Sequence, residues 1–118
     1  MIQKGGTDKF DSVILNQDRA LSPPNQPFYR DGNLLVDLRD RVVILDRQIL
    51  TLTRMEYRLL ALLVEHAGEV VTRPTLLMLT PMVDAHLWRL REKLGIYANW
   101  CIETVVGVGY HFRPAPRP

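Results

Sequence analysis

Cysteine is all but missing from this 118-residue chain, with Cys101 the single example. No internal disulfide can form, and nothing points to an oxidising compartment. Histidine is nearly as scarce. His66, His86 and His111, with one cysteine, have no ligand-like spacing, so no metal site is expected. Serine occurs only as Ser12 and Ser22, both outside the periodic part of the chain. No nucleophile and base stand out, and we expect neither a catalytic residue nor a cofactor. No apolar run approaches 18 residues, which argues against a membrane span. The N-terminus lacks the apolar stretch of a signal peptide. These absences predict a cytoplasmic, non-enzymatic domain. Excess charge is also lacking, since the net charge is +2. Residues 1–80 carry ten basic and ten acidic groups. The small excess lies in residues 81–118, where Arg89, Arg91, Lys93, Arg113 and Arg117 face Asp84, Glu92 and Glu103. Global electrostatics alone therefore point only weakly to nucleic acid.

What the chain does have is periodicity. At 47% apolar, it can bury a core for one small domain. Residues 1–33 are the exception. Gly5–Gly6, Pro23–Pro24, Pro27 and Gly32 punctuate them, which predicts an arm or linker ending near residue 30. Within it, residues 10–15 could form a short strand. The domain is then expected over residues 34–113, with 114–118 a loose tail. Leu34–Leu38, Arg41–Leu45 and Gln48–Leu52 read as short strands with short links, an antiparallel meander. Thr53-Arg54-Met55-Glu56 matches the capping box and opens a helix to about His66, closed by Gly68. A shorter helix, Arg73 to Leu79, carries Pro74 in its first turn.

The stretch Thr80 to Gly95 reads as a long amphipathic helix. Thr80 suits the N-cap, Pro81 the first helical position and Gly95 the stop. Val83, Leu87, Leu90 and Leu94 form one apolar stripe. Ala85, Trp88, Arg89 and Glu92 lie opposite, flanked by His86, Arg91 and Lys93. Ile96 to Trp100 reads as a loop. Cys101–Val105 and Tyr110–Arg113 read as a hairpin whose turn glycines are Gly107 and Gly109. Gly107-Val108-Gly109 lacks the spacing of a nucleotide-binding loop. The fold class is therefore α+β, a winged helix-turn-helix: an N-terminal antiparallel sheet, three helices and a C-terminal hairpin as the wing.

Three blocks, LTRMEYRLLALLVEHAGEVVTRPTLL, VDAHLWRLREKLG and IETVVGVGYHF, occur in one order. Over about residues 34–113 the chain resembles the C-terminal effector domain of OmpR/PhoB-type response regulators. The resemblance implies a four-stranded N-terminal sheet, a third helix that reads the major groove, and a wing. It also implies double-stranded DNA as partner, a homodimer on direct repeats, and control by a receiver domain that 118 residues do not contain. The chain would then be a cut-out domain or a stand-alone relative. The family's recognition-helix start falls on Val83, Asp84 and His86, and its base- and phosphate-facing arginines on Arg89 and Arg91. The hairpin motif falls on Glu103, Thr104, Gly107, Gly109 and Tyr110. Three departures stand out. Trp88 and Val106 replace cations common in the family. The loop of about Met78 to Met82 is shorter than usual and lacks the usual Trp-Gly, which argues against carrying over the family's contact with RNA polymerase.

Each candidate DNA-binding residue has a plainer reading beside it. Arg89 can pair with guanine O6 and N7, or stay solvated. Arg91 is open to a phosphate, or to a salt bridge with Glu56 or Glu103. His86 can donate to a phosphate, or be buried. Asp84 can accept from cytosine N4, or favour the helix start. Trp88 suits thymine methyls or deoxyribose, and equally a protein interface. Met82 and Ala85 offer apolar contact only. Lys93 and Thr104 are phosphate contacts or plain surface, and Val106 is a wing tip without charge. Two functions follow: sequence-specific double-stranded DNA binding in transcriptional regulation, or a winged-helix module for protein contacts or dimerisation.

Overall fold

The computed structural model describes residues 28–114, which divide into two units near residue 50. The arm expected over residues 1–27, with its possible strand at 10–15, and the tail from residue 115 lie outside the described residues.

The first unit is a sheet of four strands in the order β1 (Phe28–Asp31), β2 (Leu34–Asp37), β3 (Val42–Leu45) and β4 (Gln48–Leu50). β1 and β2 pair antiparallel from Phe28↔Asp37 to Asp31↔Leu34. β2 and β3 pair from Leu34↔Leu45 to Asp37↔Val42. Local side chains set the turns. Asp37 accepts from the amides of Arg39 and Asp40, each at 2.9 Å, and so bends the chain after β2. Asp46 and Arg47 have φ of 53° and 66°, the left-handed pair that a two-residue hairpin link needs. Phe28, Leu35 and Ile44 form a small core, with Val42 against it. The sheet therefore starts at Phe28, not at Leu34. The prolines before Phe28 suggest a linker, yet Phe28 and Tyr29 are good strand formers and four residues suffice for an outer strand.

The second unit holds α1 (Arg54–Glu65), β5 (Val70–Thr72), α2 (Arg73–Leu77), α3 (Val83–Leu94), a 3₁₀ turn (Gly95–Tyr97), the single turn α4 (Ala98–Cys101), β6 (Ile102–Val105) and β7 (Gly109–Phe112). The capping box is present in both directions. The Glu56 amide donates to Thr53 Oγ1 at 3.2 Å, and the Thr53 amide donates to Glu56 Oε1 at 2.9 Å. α1 buries Leu59, Leu60, Leu63 and Val64, and packs on α3. α3 buries the expected stripe of Val83, Leu87, Leu90 and Leu94. The last three strands form a sheet in the order β5-β7-β6, with β7 central. Tyr110 and Phe112 on β7 are buried, as their alternation predicts.

Several local expectations shift. α3 begins at Val83, three residues after Thr80, and no side chain caps it. Thr80 Oγ1 instead accepts from the Met82 amide at 3.0 Å, holding the turn around Pro81. α2 is shorter than expected, because the chain turns after Leu77. Residues 96–100 are helical turns rather than a loop, and Cys101 ends α4, fully buried, instead of starting a strand. Gly107 is a true turn glycine with φ of 78°. Gly109 is not: it lies in β7 where the backbone of β5 passes so close that a Cβ would run into the Val71 carbonyl.

Candidate nucleic-acid interface

α3 presents three strips besides its buried one, and hydrogen bonds occupy two of them. On the flank facing the hairpin, Arg91 donates through Nη2 to the Ile102 carbonyl at 3.1 Å and to Thr104 Oγ1 at 2.8 Å. Its guanidinium also sits 5.4 Å from the centre of the Tyr110 ring. The contacts with Glu56 or Glu103 considered for Arg91 are not made among those hydrogen bonds. Thr104 is an exposed residue whose hydroxyl is spent on Arg91. Arg91 and Thr104 thus join α3 to the hairpin.

Asp84 lies on the same flank, two turns earlier. It accepts a two-pronged contact from Arg73, at 2.9 and 3.0 Å, and a third bond from the Tyr110 hydroxyl at 2.7 Å. Asp84 is therefore satisfied by partners within the domain. The hydrogen bonds from Arg73 and then Tyr110 hold its carboxyl down at about 2. Burial and the bond to Asp84 raise the Tyr110 hydroxyl. Because the folded state depresses the Asp84 pKa, its contribution is fully present above about pH 4 and is lost as pH falls toward 2. We expect an Asp84→Asn variant to be less stable at pH 7 and to lose less further stability between pH 4 and pH 2. Urea unfolding at a series of pH values reads this directly.

The opposite flank belongs to α1. Lys93 Nζ lies 2.7 Å from Glu56 Oε1, and the Glu56 side chain is 1% exposed. Burial pushes the Glu56 carboxyl up, but Lys93 and the Thr53 amide together outweigh it and hold the group below its ordinary value. Lys93 is thus the counter-ion of a buried cap. Lys93→Met should cost about 1–3 kcal/mol, below the usual cost of breaking a fully buried pair because Lys93 is itself partly exposed. The check is thermal or urea unfolding at pH 7. An uncompensated Glu56 should also shift acid unfolding to higher pH.

Between these flanks lies the outward strip, with Ala85 half-buried and Trp88, Arg89 and Glu92 exposed. Met82 stands at its N-terminal end, 60% exposed. Arg89 makes no hydrogen bond or ion pair among the described residues, unlike Arg91 and Lys93. His86 is half-buried, and its Nδ1 has no hydrogen-bond partner among the described residues. Val106 is 89% exposed at the tip of the hairpin. The structure thus brings Met82, Ala85, Trp88 and Arg89 onto one strip and turns Asp84, Arg91 and Lys93 to holding the helix in place. Sequence reading missed Arg73, the partner of Asp84 from another helix, because no periodicity links the two.

The surroundings of this strip can be compared with known proteins. Residues 46–112 match the family model described as "Transcriptional regulatory protein, C terminal". The chain belongs to this family of transcriptional regulatory proteins. The domain is of the OmpR/PhoB type, and its fold is that of the family's winged-helix DNA-binding domains. It is 38% identical over 91 residues to the transcriptional regulatory protein VxrB of Vibrio cholerae, covering 70% of this chain and 36% of VxrB. The DNA-binding domain of RstA from Klebsiella pneumoniae, solved in complex with the RstA box, superposes with a TM-score of 0.69 at 30% identity. That match covers 76% of this chain and all of the RstA domain. The DNA-binding domain of CpxR from Escherichia coli gives a TM-score of 0.68 at 30% identity, over 77% of this chain and all of that domain. The chain spans about a third of the length of VxrB. The family supports DNA binding in transcription regulation, and not the alternative of a module for protein contacts alone; it is not a class of enzymes. Among the described residues no helix is long and apolar enough to cross a membrane.

Proposed function

We propose that this domain binds a specific sequence of double-stranded DNA by laying the N-terminal half of α3 in the major groove, and so regulates transcription in the cytoplasm. Arg89 carries the reading. It is the cation of α3 that has no intramolecular hydrogen bond or ion pair among the described residues, and it stands on the outward strip. A guanidinium so placed can meet guanine O6 and N7 with two parallel bonds. Met82 to Arg89 spans about 10 Å of helix, the rise of about three base pairs. Glu92, one turn further on, repels phosphate and so favours insertion by the N-terminal end. Val106 brings shape but no charge to the neighbouring backbone. His86 is the remaining candidate for a phosphate.

By resemblance to its family, the domain acts as a head-to-tail homodimer on direct repeats. Only about five residues join α2 to α3, a short link that speaks against carrying over the family's contact with RNA polymerase. Selection from a pool of random duplexes, at low and physiological salt, tests the proposal. One enriched sequence, bound more tightly than the bulk pool at both salts, is the expected result. Equal binding to all duplexes, weak and lost as salt rises, would count against it.

A further inference from the structure

We infer that Trp88 makes thymine, through its 5-methyl group, part of the sequence this domain selects. The inference rests on the groove-facing role of α3 proposed above, and adds to it the base that lies beside the one read by Arg89. Trp88 is 60% exposed on α3, in a protein that buries the rest of that helix's large apolar side chains. Met82 is exposed to the same degree at the start of the same strip, and Ala85 lies between them. The three follow at i, i+3 and i+6, a row that winds about 120° round the outward side. The strip is thus apolar except for Arg89 and, past it, Glu92.

An indole offers one N–H donor and no acceptor. It carries no charge to hold a phosphate. What it offers is a broad apolar face, and the major groove has one apolar feature to match, the thymine methyl. Of the apolar groups on the strip, Met82 and Ala85 are the smaller or more flexible, and the charged flanks are held within the domain. Asp84 and Arg91 are tied to Arg73, Tyr110 and Thr104, and Lys93 is tied to Glu56. The wing tip is Val106, so no cation there directs the choice of base. Adjacent residues of a helix stand about 100° apart and differ by about 1.5 Å in height. Trp88 and Arg89, adjacent and both outward, therefore reach neighbouring base pairs. The selected site should hold a thymine next to the guanine that Arg89 reads.

The test starts from the sequence enriched by the full 118-residue chain. Each thymine is replaced in turn by deoxyuridine, which removes the methyl and leaves every hydrogen-bonding group. At the thymine beside the critical guanine we expect about a fourfold loss of affinity, the size of one buried methyl group. Trp88→Ala should bind the thymine and uracil duplexes equally. Trp88→Phe, which keeps an aromatic face, should retain part of the discrimination. Trp88→Arg should lose it and steepen the salt dependence by about one phosphate contact. Because Trp88 is exposed, these variants should keep the unfolding midpoint of the parent, which is measured alongside. The inference fails if an enriched site exists and depends on Arg89, but no uracil replacement changes affinity by twofold. It fails equally if Trp88→Ala keeps the uracil effect while shifting the sedimentation of the protein, which would place the indole at a protein interface. Enrichment of no sequence at all would remove both this inference and the proposal beneath it.

Discussion

Alanine at position 109 is expected to destabilise the domain by about 3–4 kcal/mol, far more than alanine at position 107. The two glycines sit two residues apart in one hairpin and look alike in the sequence. Gly107 has φ of 78° and open space around its missing side chain. Alanine there meets only the backbone penalty of the left-handed region, about 1–2 kcal/mol. Gly109 has no such φ. Its added Cβ would strike the Val71 carbonyl and the Thr72 Cα, both of them backbone atoms. No side chain can swing aside to make room. β7 must draw away from β5, across a ladder that pairs Val70 with His111, Val71 with Tyr110 and Thr72 with Gly109. The bonds from the Arg73 amide to the Val108 carbonyl and from the Gly68 amide to the Phe112 carbonyl, 2.9 Å each, bracket that ladder. Overpacking ordinarily costs about 1–3 kcal/mol, and each strained ladder bond adds up to about 1. A domain with about 5–15 kcal/mol of total stability would lose a large share. Urea unfolding of both variants against the parent gives the comparison. Equal losses at 107 and 109 would show that the strands part easily.

The contrast between those glycines shows which information is local and which is not. The capping box was legible because Thr53 and Glu56 stand three apart and act on each other's backbone. The buried stripe of α3 was legible because Val83, Leu87, Leu90 and Leu94 obey the helical period by themselves. The hairpin was legible from its turn and its alternating Tyr110 and Phe112. β1 was hidden by the prolines before it, which signal a break with or without a strand after it. The start of α3 was misplaced by Thr80-Pro81, a pair that fits a helix start and a turn equally well. The roles of the charged residues were hidden for another reason. Lys93 and Glu56 are 37 apart in the chain, Asp84 and Tyr110 are 26 apart, and Arg91 and Thr104 are 13 apart. Each pairing exists only once the helices and hairpin have packed. A helical wheel shows which side chains leave the core; it does not show which of those find a partner on the next element. Of three cations on α3, the sequence made all three candidates for DNA, and in the folded domain Arg91 is held by Ile102 and Thr104 and Lys93 by Glu56.

Arg89→Ala should therefore abolish selection at the guanine, while Lys93→Met leaves selection intact in a less stable protein. A bidentate pair with guanine is worth about 1–3 kcal/mol, a loss of about 5- to 150-fold on the enriched site. The loss should be confined to that site. Binding to unrelated duplexes should change little, because a base contact contributes nothing where the base is absent. Arg89→Lys sharpens the test. Lysine keeps the charge but not the planar fork, so it should recover general affinity without recovering discrimination at the guanine. Arg91→Ala makes a third comparison. It cuts the link from α3 to the Ile102 carbonyl and Thr104, so its effect should fall on stability and on the placing of the wing. Titration of each variant with the enriched duplex, and with one whose guanine is replaced, separates these outcomes at two salt concentrations. Were Arg89→Ala to weaken all duplexes alike and flatten the salt slope by about one unit, its guanidinium would be holding a phosphate, and the base reading would have to pass to Trp88 and Met82 alone.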